Sequence, residues 1–586
     1  MAKQWTIRPP CPGAADLARA IGLAPLVARV LCQRGLETPD SARAFLKPEL
    51  SQLHEPAAMP GLMDAADRLL AAARSGEPIV IYGDYDADGI TASAILWQAL
   101  RLADANVRIY IPHRVEEGYG LNLEAVEHLA AEGARLLVTV DCGISGLAEV
   151  ERAKALGLDM IITDHHEPPP GPLPPALVLV DPKLPNSPYP FRELSGAGIA
   201  MKLAWAIGRR LSRRDRVSEP FREFLISATA LAALGTIADV VPLVGENHVL
   251  ASFGLRALAG ARHPGLAALL EVAGLSEKPL NADHVGFMLG PRLNAIGRLG
   301  HAQEAVELLT TAGPDAARTI AEQLDRLNRE RQELEKGILA QAEEQVARTF
   351  VPERDAAIVL AGAGWHTGVI GIVASRIMDR YFRPTILIGT SDGQAQGSAR
   401  SIPGFHLFEA LVACRAHLRT YGGHAMAAGL RLSEADVPAF RQAFLAHAAS
   451  VLKANDLVPR VVVDAEVALD DITLETVRLL ERMGPFGAGN LRPVLAARYL
   501  RLTGPPRRIG RQGEHLAMHL TRGGCARRAV AWHMGGLAEA LARAGSCGAA
   551  FTCRVSDFTA TPDVELHIKD LWIGRYGDTA AAKEFG

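Results

Sequence analysis

The chain has 586 residues, 49% of them hydrophobic and 22% charged, with a formal net charge of −3. Domains run to roughly 100–200 residues, so three to five are expected, and the composition excludes a disordered chain. The near-neutral balance excludes a globally basic protein, so any nucleic-acid contact must come from a local patch.

Seven cysteines are scattered with no CxxC pair, which argues against a disulfide framework or zinc ribbon and for a reducing, cytoplasmic setting. No apolar segment follows the N-terminal charge, and no uncharged apolar run of about 18 residues occurs. Neither a signal peptide nor contact with a membrane is expected. No Gly-Lys pair occurs, which excludes a Walker A loop and an ATP-driven motor.

In chain order, residues 1–60 carry short helical patterns broken by Pro and Gly and read as an N-terminal helical cap. From 61 to 313, apolar runs alternate with amphipathic stretches. Strands are predicted at Ile79–Tyr82, Val107–Ile111, Leu136–Val140, Met160–Thr163 and Val178–Val180. Helices are predicted at Thr91–Leu102, Leu123–Ala131 and Gly146–Leu156, and an acidic loop at 83–89. This alternation predicts a parallel sheet covered on both faces. Residues 196–312 read as mostly helical. Residues 314–350 are charged, with Ile320, Leu324, Leu327, Leu334 and Ile338 at heptad-like spacing, and read as one connecting helix. A second α/β domain is expected at 351–455. At 456–575, five or six β-type segments, beginning with Arg460–Val463, suggest a small barrel of OB type.

Four segments hold the chemistry. Asp84, Asp86 and Asp88 alternate directly after a strand. Three carboxylates so close repel one another unless cations or donors neutralise them, and hard divalent cations favour such oxygen ligands. The run mimics the start of an EF-hand loop, but the twelfth position is Ile95 instead of a bidentate Glu. Asp141 ends an apolar strand, where a helix N-cap is the competing reading. His165 and His166 follow another strand end. Asp239 interrupts an apolar stretch, where burying it unpaired is costly. Mixed carboxylate and imidazole donors suit Mn²⁺, and Mg²⁺ less specifically. A pair of such ions is the usual device for displacement at phosphate.

The segments DYDADGITA at 84–92, VDCG at 140–143, TDHHEP at 163–168 and GTIADVVPL at 235–243 resemble the DHH phosphoesterase superfamily. PHRVEEGYGLN at 112–122, GPRLNAIGRLG at 290–300, GWHTGVIGIVASR at 364–376, GSARSIPGFHLFEAL at 397–411 and YGGHAMAAGL at 421–430 point to its branch of single-stranded-DNA exonucleases. The resemblance spans about 60 to 573. It implies a two-lobed α/β core, with the parallel-sheet domain and the second α/β domain joined by a long helix, and a C-terminal OB-like barrel. It also implies two divalent cations, Mn²⁺ or Mg²⁺, with Asp86 and Asp88 on different ions and Asp141 bridging. His165 and Asp239 complete the second site, Asp84 helps the first, and His166 faces the scissile phosphate.

The implied reaction is 5′→3′ hydrolysis of single-stranded DNA to 5′-mononucleotides, in repair and recombination. Arg298, Ser398 and Arg400 would bind the terminal 5′-phosphate. Arg114, Tyr119, His366, Arg376 and His424 would contact DNA. In the barrel, segment 498–528 carries eight Arg against one acid, Glu514. Arg507, Arg508 and Arg511 are its candidates for non-specific strand binding. A single-strand-binding protein and a helicase are the implied partners. The competing expectation is another DHH phosphodiesterase, acting on short oligonucleotides or cyclic dinucleotides without need of the barrel.

Overall fold

In a computed structural model, the described residues are 3–113, 117–118, 120–212, 216–556 and 561–574. The chain divides into two compact units. One comprises residues 44–330 and 483–492, and the other comprises 1–43, 331–482 and 493–586. The division falls inside a single 36-residue helix, Pro314–Thr349, which begins with Pro at its first position as the sequence predicts.

The first unit is built on a five-stranded parallel sheet. Its spatial order is Val107–Tyr110, Ile79–Gly83, Leu136–Val140, Asp159–Thr163, Val178–Val180. Ile79–Gly83 and Leu136–Val140 are buried along their whole length, which is why they read as unbroken apolar runs. The chain enters at Ile79–Gly83, steps to one neighbour, then returns to the other side at Leu136–Val140. The order therefore reverses between these two strands, and ligand sites in open α/β sheets form at such a crevice.

Helices Ala87–Arg101, Gly196–Ser212 and Glu219–Ala238 pack against one another in the core. The last is apolar and long enough to cross a membrane by composition alone, yet 67% of that stretch is buried inside the unit. The segment Met483–Arg492 belongs here rather than with its sequence neighbours: Leu243 N–H donates to the Ala488 carbonyl at 2.8 Å.

The second unit holds a five-stranded sheet ordered Thr420–Gly423, Ala427–Ser433, Gln394–Arg400, Thr385–Ser391, Ile358–Ala363. Only its last pair is parallel. The barrel closes because Leu495–Leu502 pairs with both Ser546–Ser556 and His515–Arg522, while Asp563–Ile573 and Cys525–Ala531 complete the ring.

Three expectations need correction here. Arg460–Val463 is no barrel strand; it pairs in parallel with Gln4–Ile7 in a separate two-stranded sheet. The N-terminal cap is not one body: residues 1–43 join the second unit, and 44–60 join the first. Cys11 and Cys32 are joined as a disulfide despite their separation of 21 residues. The helices Ala14–Ile21 and Pro25–Gln33 fold the intervening chain back on itself and bring the two sulfurs together.

Candidate metal centre

Strand register builds the site. Gly83 pairs with Val140, and Val140 pairs with Thr163. The residues that follow, Asp84, Asp141 and Asp164, therefore leave three adjacent strands at one level.

The chain after Asp84 turns at once into a helix. Helix Ala87–Arg101 begins four residues before its predicted start, because Asp86 is its N-cap. The Asp86 Oδ1 accepts from the Asp88 and Gly89 N–H groups at 2.9 and 3.1 Å. Asp88 is thus a first-turn helical residue, 1% exposed, and not part of a loop. The Ala87 N–H donates to Asn294 Oδ1 at 2.7 Å. Asn294, on helix Gly290–Leu299, ties that helix to the acidic turn, and no local pattern in the sequence marks it.

Asp141 is not an N-cap. It takes a left-handed conformation (φ 65°), its N–H donates to the Thr163 carbonyl at 3.1 Å, and the next helix starts only at Leu147. Asp239 caps the C-terminus of helix Glu219–Ala238.

These groups converge. His165 Nε2 lies 3.0 Å from Asp141 Oδ1, 3.6 Å from Asp239 Oδ2 and 3.9 Å from Asp88 Oδ2. One donor atom from each of Asp84, Asp86 and Asp141 fits within 4.8 Å, as does one from each of Asp88, His165 and Asp239, and from Asp141, His165 and His166. The two carboxylate-rich triplets are joined by the Asp141–His165 contact, one residue of which belongs to each.

Electrostatics shows what the cluster is suited to hold. Burial, then the Asp86 charge, raises Asp88 to about 7. Burial, then Asp88 and Asp86, raises Asp239 to about 9, and the same causes push Asp141 well above the ordinary carboxylate range. Burial lowers His165 to about 3, so its ring is neutral and can offer a lone pair. Asp141 Oδ1 and His165 Nε2 are buried without a hydrogen-bond partner. Crowded carboxylates, a neutral imidazole and buried acceptors left unbonded form a donor set that divalent cations would satisfy.

His166 differs. Burial opposes its charge, but the hydrogen bond to Asp164 raises it to about 9. His166 Nδ1 sits 2.7 Å from Asp164 Oδ1, which also accepts the backbone N–H of His165 and His166, while Oδ2 accepts from Ile144 N–H. The sequence alone gives Asp164 no separate role, although its place between a strand end and two histidines is the signal for one.

The remaining candidates divide between the units. Arg298 lies one helical turn beyond Asn294, on the helix tied to the acidic turn. In the second unit, Ser398 and Arg400 sit on strand Gln394–Arg400, with the guanidinium donating to Ser398 Oγ at 3.1 Å. His366 caps helix Thr367–Tyr381, its Nδ1 accepting from Gly368 N–H at 3.1 Å. Arg376 pairs with the buried Glu335 at 2.5 Å, a structural engagement the sequence did not suggest. His424 is exposed in a tight turn. Arg114 and Tyr119 lie outside the described residues. In the barrel, Arg498 and Arg528 pair with Glu466 and Glu565 from outside the basic segment, whereas Arg507, Arg508 and Arg511 are exposed.

Comparison with known proteins agrees with this architecture. The DHH family N-terminal domain matches residues 78–233, the DHHA1 domain 354–450 and the RecJ OB domain 463–570. The single-stranded-DNA-specific exonuclease RecJ of Bacillus subtilis is 38% identical over 98% of this chain and 71% of its own length. The crystal structure of RecJ from Thermus thermophilus in complex with Mn²⁺ superimposes with a TM-score of 0.83 at 33% identity, covering 98% of this chain and 80% of that one. Its Mg²⁺ complex gives 0.77 at 31%, covering 98% and 79%. With the DHH, DHHA1 and RecJ OB domains all matched in order and a relative 38% identical over 98% of this chain and 71% of its own length, the chain belongs to the RecJ family of single-stranded-DNA-specific exonucleases.

Proposed function

We propose that this chain is a metal-dependent exonuclease that hydrolyses single-stranded DNA from the 5′ end to 5′-mononucleotides. The observation that carries this reading is the convergence of Asp84, Asp86, Asp88, Asp141, His165 and Asp239 within ligand-to-ligand distances at the carboxyl end of one sheet. Asp84 and Asp86 would hold one cation, Asp88, His165 and Asp239 a second, with Asp141 shared. Mn²⁺ and Mg²⁺, the ions named for the Thermus thermophilus protein, both suit this donor set. Such a pair lowers the pKa of water and absorbs charge developing on phosphate oxygens.

The chain's own residues supply the rest. His166, kept cationic at neutral pH by Asp164, is assigned to the scissile phosphate as charge stabiliser or proton donor. We assign Arg298, and separately the Ser398–Arg400 pair, to the 5′-terminal phosphate, because a guanidinium beside a hydroxyl matches a phosphate dianion. Removal of one nucleotide leaves a new 5′-phosphate, so polarity and repeated cleavage follow from one recognition event. His366, Arg376, His424 and the barrel arginines are assigned to the strand. A DNA-repair and recombination role in the cytoplasm, beside a single-strand-binding protein and a helicase, fits this activity.

The test is digestion of end-labelled strands with Mn²⁺: single or duplex, long or dinucleotide, with 5′-phosphate or 5′-hydroxyl. Mononucleotides released from the 5′ end of long single strands are expected, with Arg400→Ala abolishing the preference for 5′-phosphate. Release from the 3′ end would refute the polarity, and preference for dinucleotides would favour an oligonucleotide phosphodiesterase.

A further inference from the structure

The start of helix Gly196–Ser212 contributes no candidate ligand, yet it touches the cage directly. The Gly196 N–H donates to Asp88 Oδ2 at 2.7 Å, and the Ala197 N–H donates to Asp88 Oδ1 at 2.9 Å. Both carboxylate oxygens of a 1% exposed aspartate are thus gripped by consecutive amides at the positive end of a 17-residue helix. The grip fixes the carboxylate plane and leaves each oxygen a further lone pair.

Gly196 also faces Asp141. A Cβ built on it would lie 2.7 Å from Asp141 Cβ and Oδ1 and 2.8 Å from Cγ. Asp141 cannot readily retreat, because its backbone is left-handed and its N–H is bonded to Thr163. The neighbouring helix Glu219–Ala238 crowds Asp88 in a similar way. A Cβ on Gly235 would lie 2.4 Å from Asp88 Oδ1 and 2.4 Å from Thr91 Oγ1. The two helices are tied by the buried Ser195 and Thr236 hydroxyls at 2.8 Å, and Ser195 Oγ also accepts from Gly198 N–H at 3.1 Å. Neither helix can draw back without breaking this tie.

We infer that Gly196, Ala197 and Gly235 are positioning residues for the metal centre: two amides set the orientation of Asp88, and two absent side chains leave Asp88 and Asp141 room to turn their carboxylates toward the cations. The inference rests on the metal-centre reading above and specifies what preorganises it. Supporting partners of metal ligands are typically worth about 10–100-fold in affinity, and that is the size of effect expected.

The experiment is calorimetric titration of MnCl₂ into full-length, EDTA-stripped protein, with thermal unfolding of each metal-free variant. Gly196→Ala and Gly235→Ala should unfold cooperatively yet bind Mn²⁺ roughly tenfold or more weakly, and turnover should require correspondingly more Mn²⁺. Gly198→Ala is the control. It lies in the same turn, but its Cβ would meet the end of the Leu194 side chain at 3.0 Å and no carboxylate, so wild-type affinity is expected. If Gly196→Ala fails to fold, Gly235→Ala decides, from a different helix. Wild-type affinity in the folded glycine variants, or an equal loss in Gly198→Ala, overturns the inference. If the wild-type chain itself takes up no Mn²⁺, the metal-centre reading falls instead.

Discussion

Asp141 is constrained in three ways at once. It is 3% exposed, left-handed, and in contact with His165 across the cage. Asparagine tolerates the left-handed region, so Asp141→Asn isolates the charge from the backbone. Mn²⁺-dependent turnover should fall by roughly a hundredfold or more, exceeding the loss expected from a supporting partner. Metal-free stability should hold or rise, because a buried carboxylate crowded by Asp88, Asp86 and Asp239 is relieved; a thermal scan in EDTA checks this.

The same crowding sets a pH dependence. Asp88 at about 7 and Asp239 at about 9 bind protons in the fold that an unfolded chain releases near pH 4, and His166 at about 9 behaves likewise above its unfolded value. The folded state therefore holds more protons, and stability falls as pH rises through these values. His165, lowered to about 3, acts in the opposite sense only below about pH 6.5. Metal-free protein should lose thermal stability between pH 6.5 and 9, and saturating Mn²⁺ should flatten that slope. The five aspartates and two histidines were legible as a group because strand ends carrying alternating acids are chemically conspicuous. Asp164 and the glycines were not, since their roles are hydrogen bonds and absent atoms that only neighbours define.

At the scale of elements, the acidic turn is held from both ends. Asp86 caps helix Ala87–Arg101 from within, and Asn294 accepts the Ala87 N–H from another helix. Asn294→Ala would leave that donor without its partner, at a cost of roughly 1–3 kcal/mol if water cannot replace it. A lowered melting temperature with reduced turnover, measured on the same preparation, is the expected outcome. The sequence placed the sheet strands within a residue or two, because buried parallel strands are continuous apolar runs. It began helix Ala87–Arg101 four residues late, because three aspartates read as loop when the cap that makes them helical is one of their own number. It missed Gln4–Ile7 altogether, because that strand's partner lies more than 450 residues away.

For the whole molecule, basic charge is concentrated on a barrel within a chain of net charge −3. Two of its eight arginines are neutralised by Glu466 and Glu565, leaving Arg507, Arg508 and Arg511 among those exposed to solvent. Each phosphate contact to a single strand contributes a slope of about 0.7 in log affinity against log salt, so replacing all three by Ala should reduce the slope by about 2. Long-strand binding measured over a salt series would show it, whereas cleavage of a dinucleotide should be unchanged.

By itself the sequence determined the order and class of the elements, the donor types and the basic character of the barrel. These depend on local periodicity and on which atoms a residue carries. Only the tertiary structure decided that Gly83, Val140 and Thr163 stand level, that residues 483–492 fold with the first unit, and that helix Gly196–Ser212 grips Asp88. Register, long-range pairing and steric room are relations between distant residues, and no local pattern along the chain encodes them.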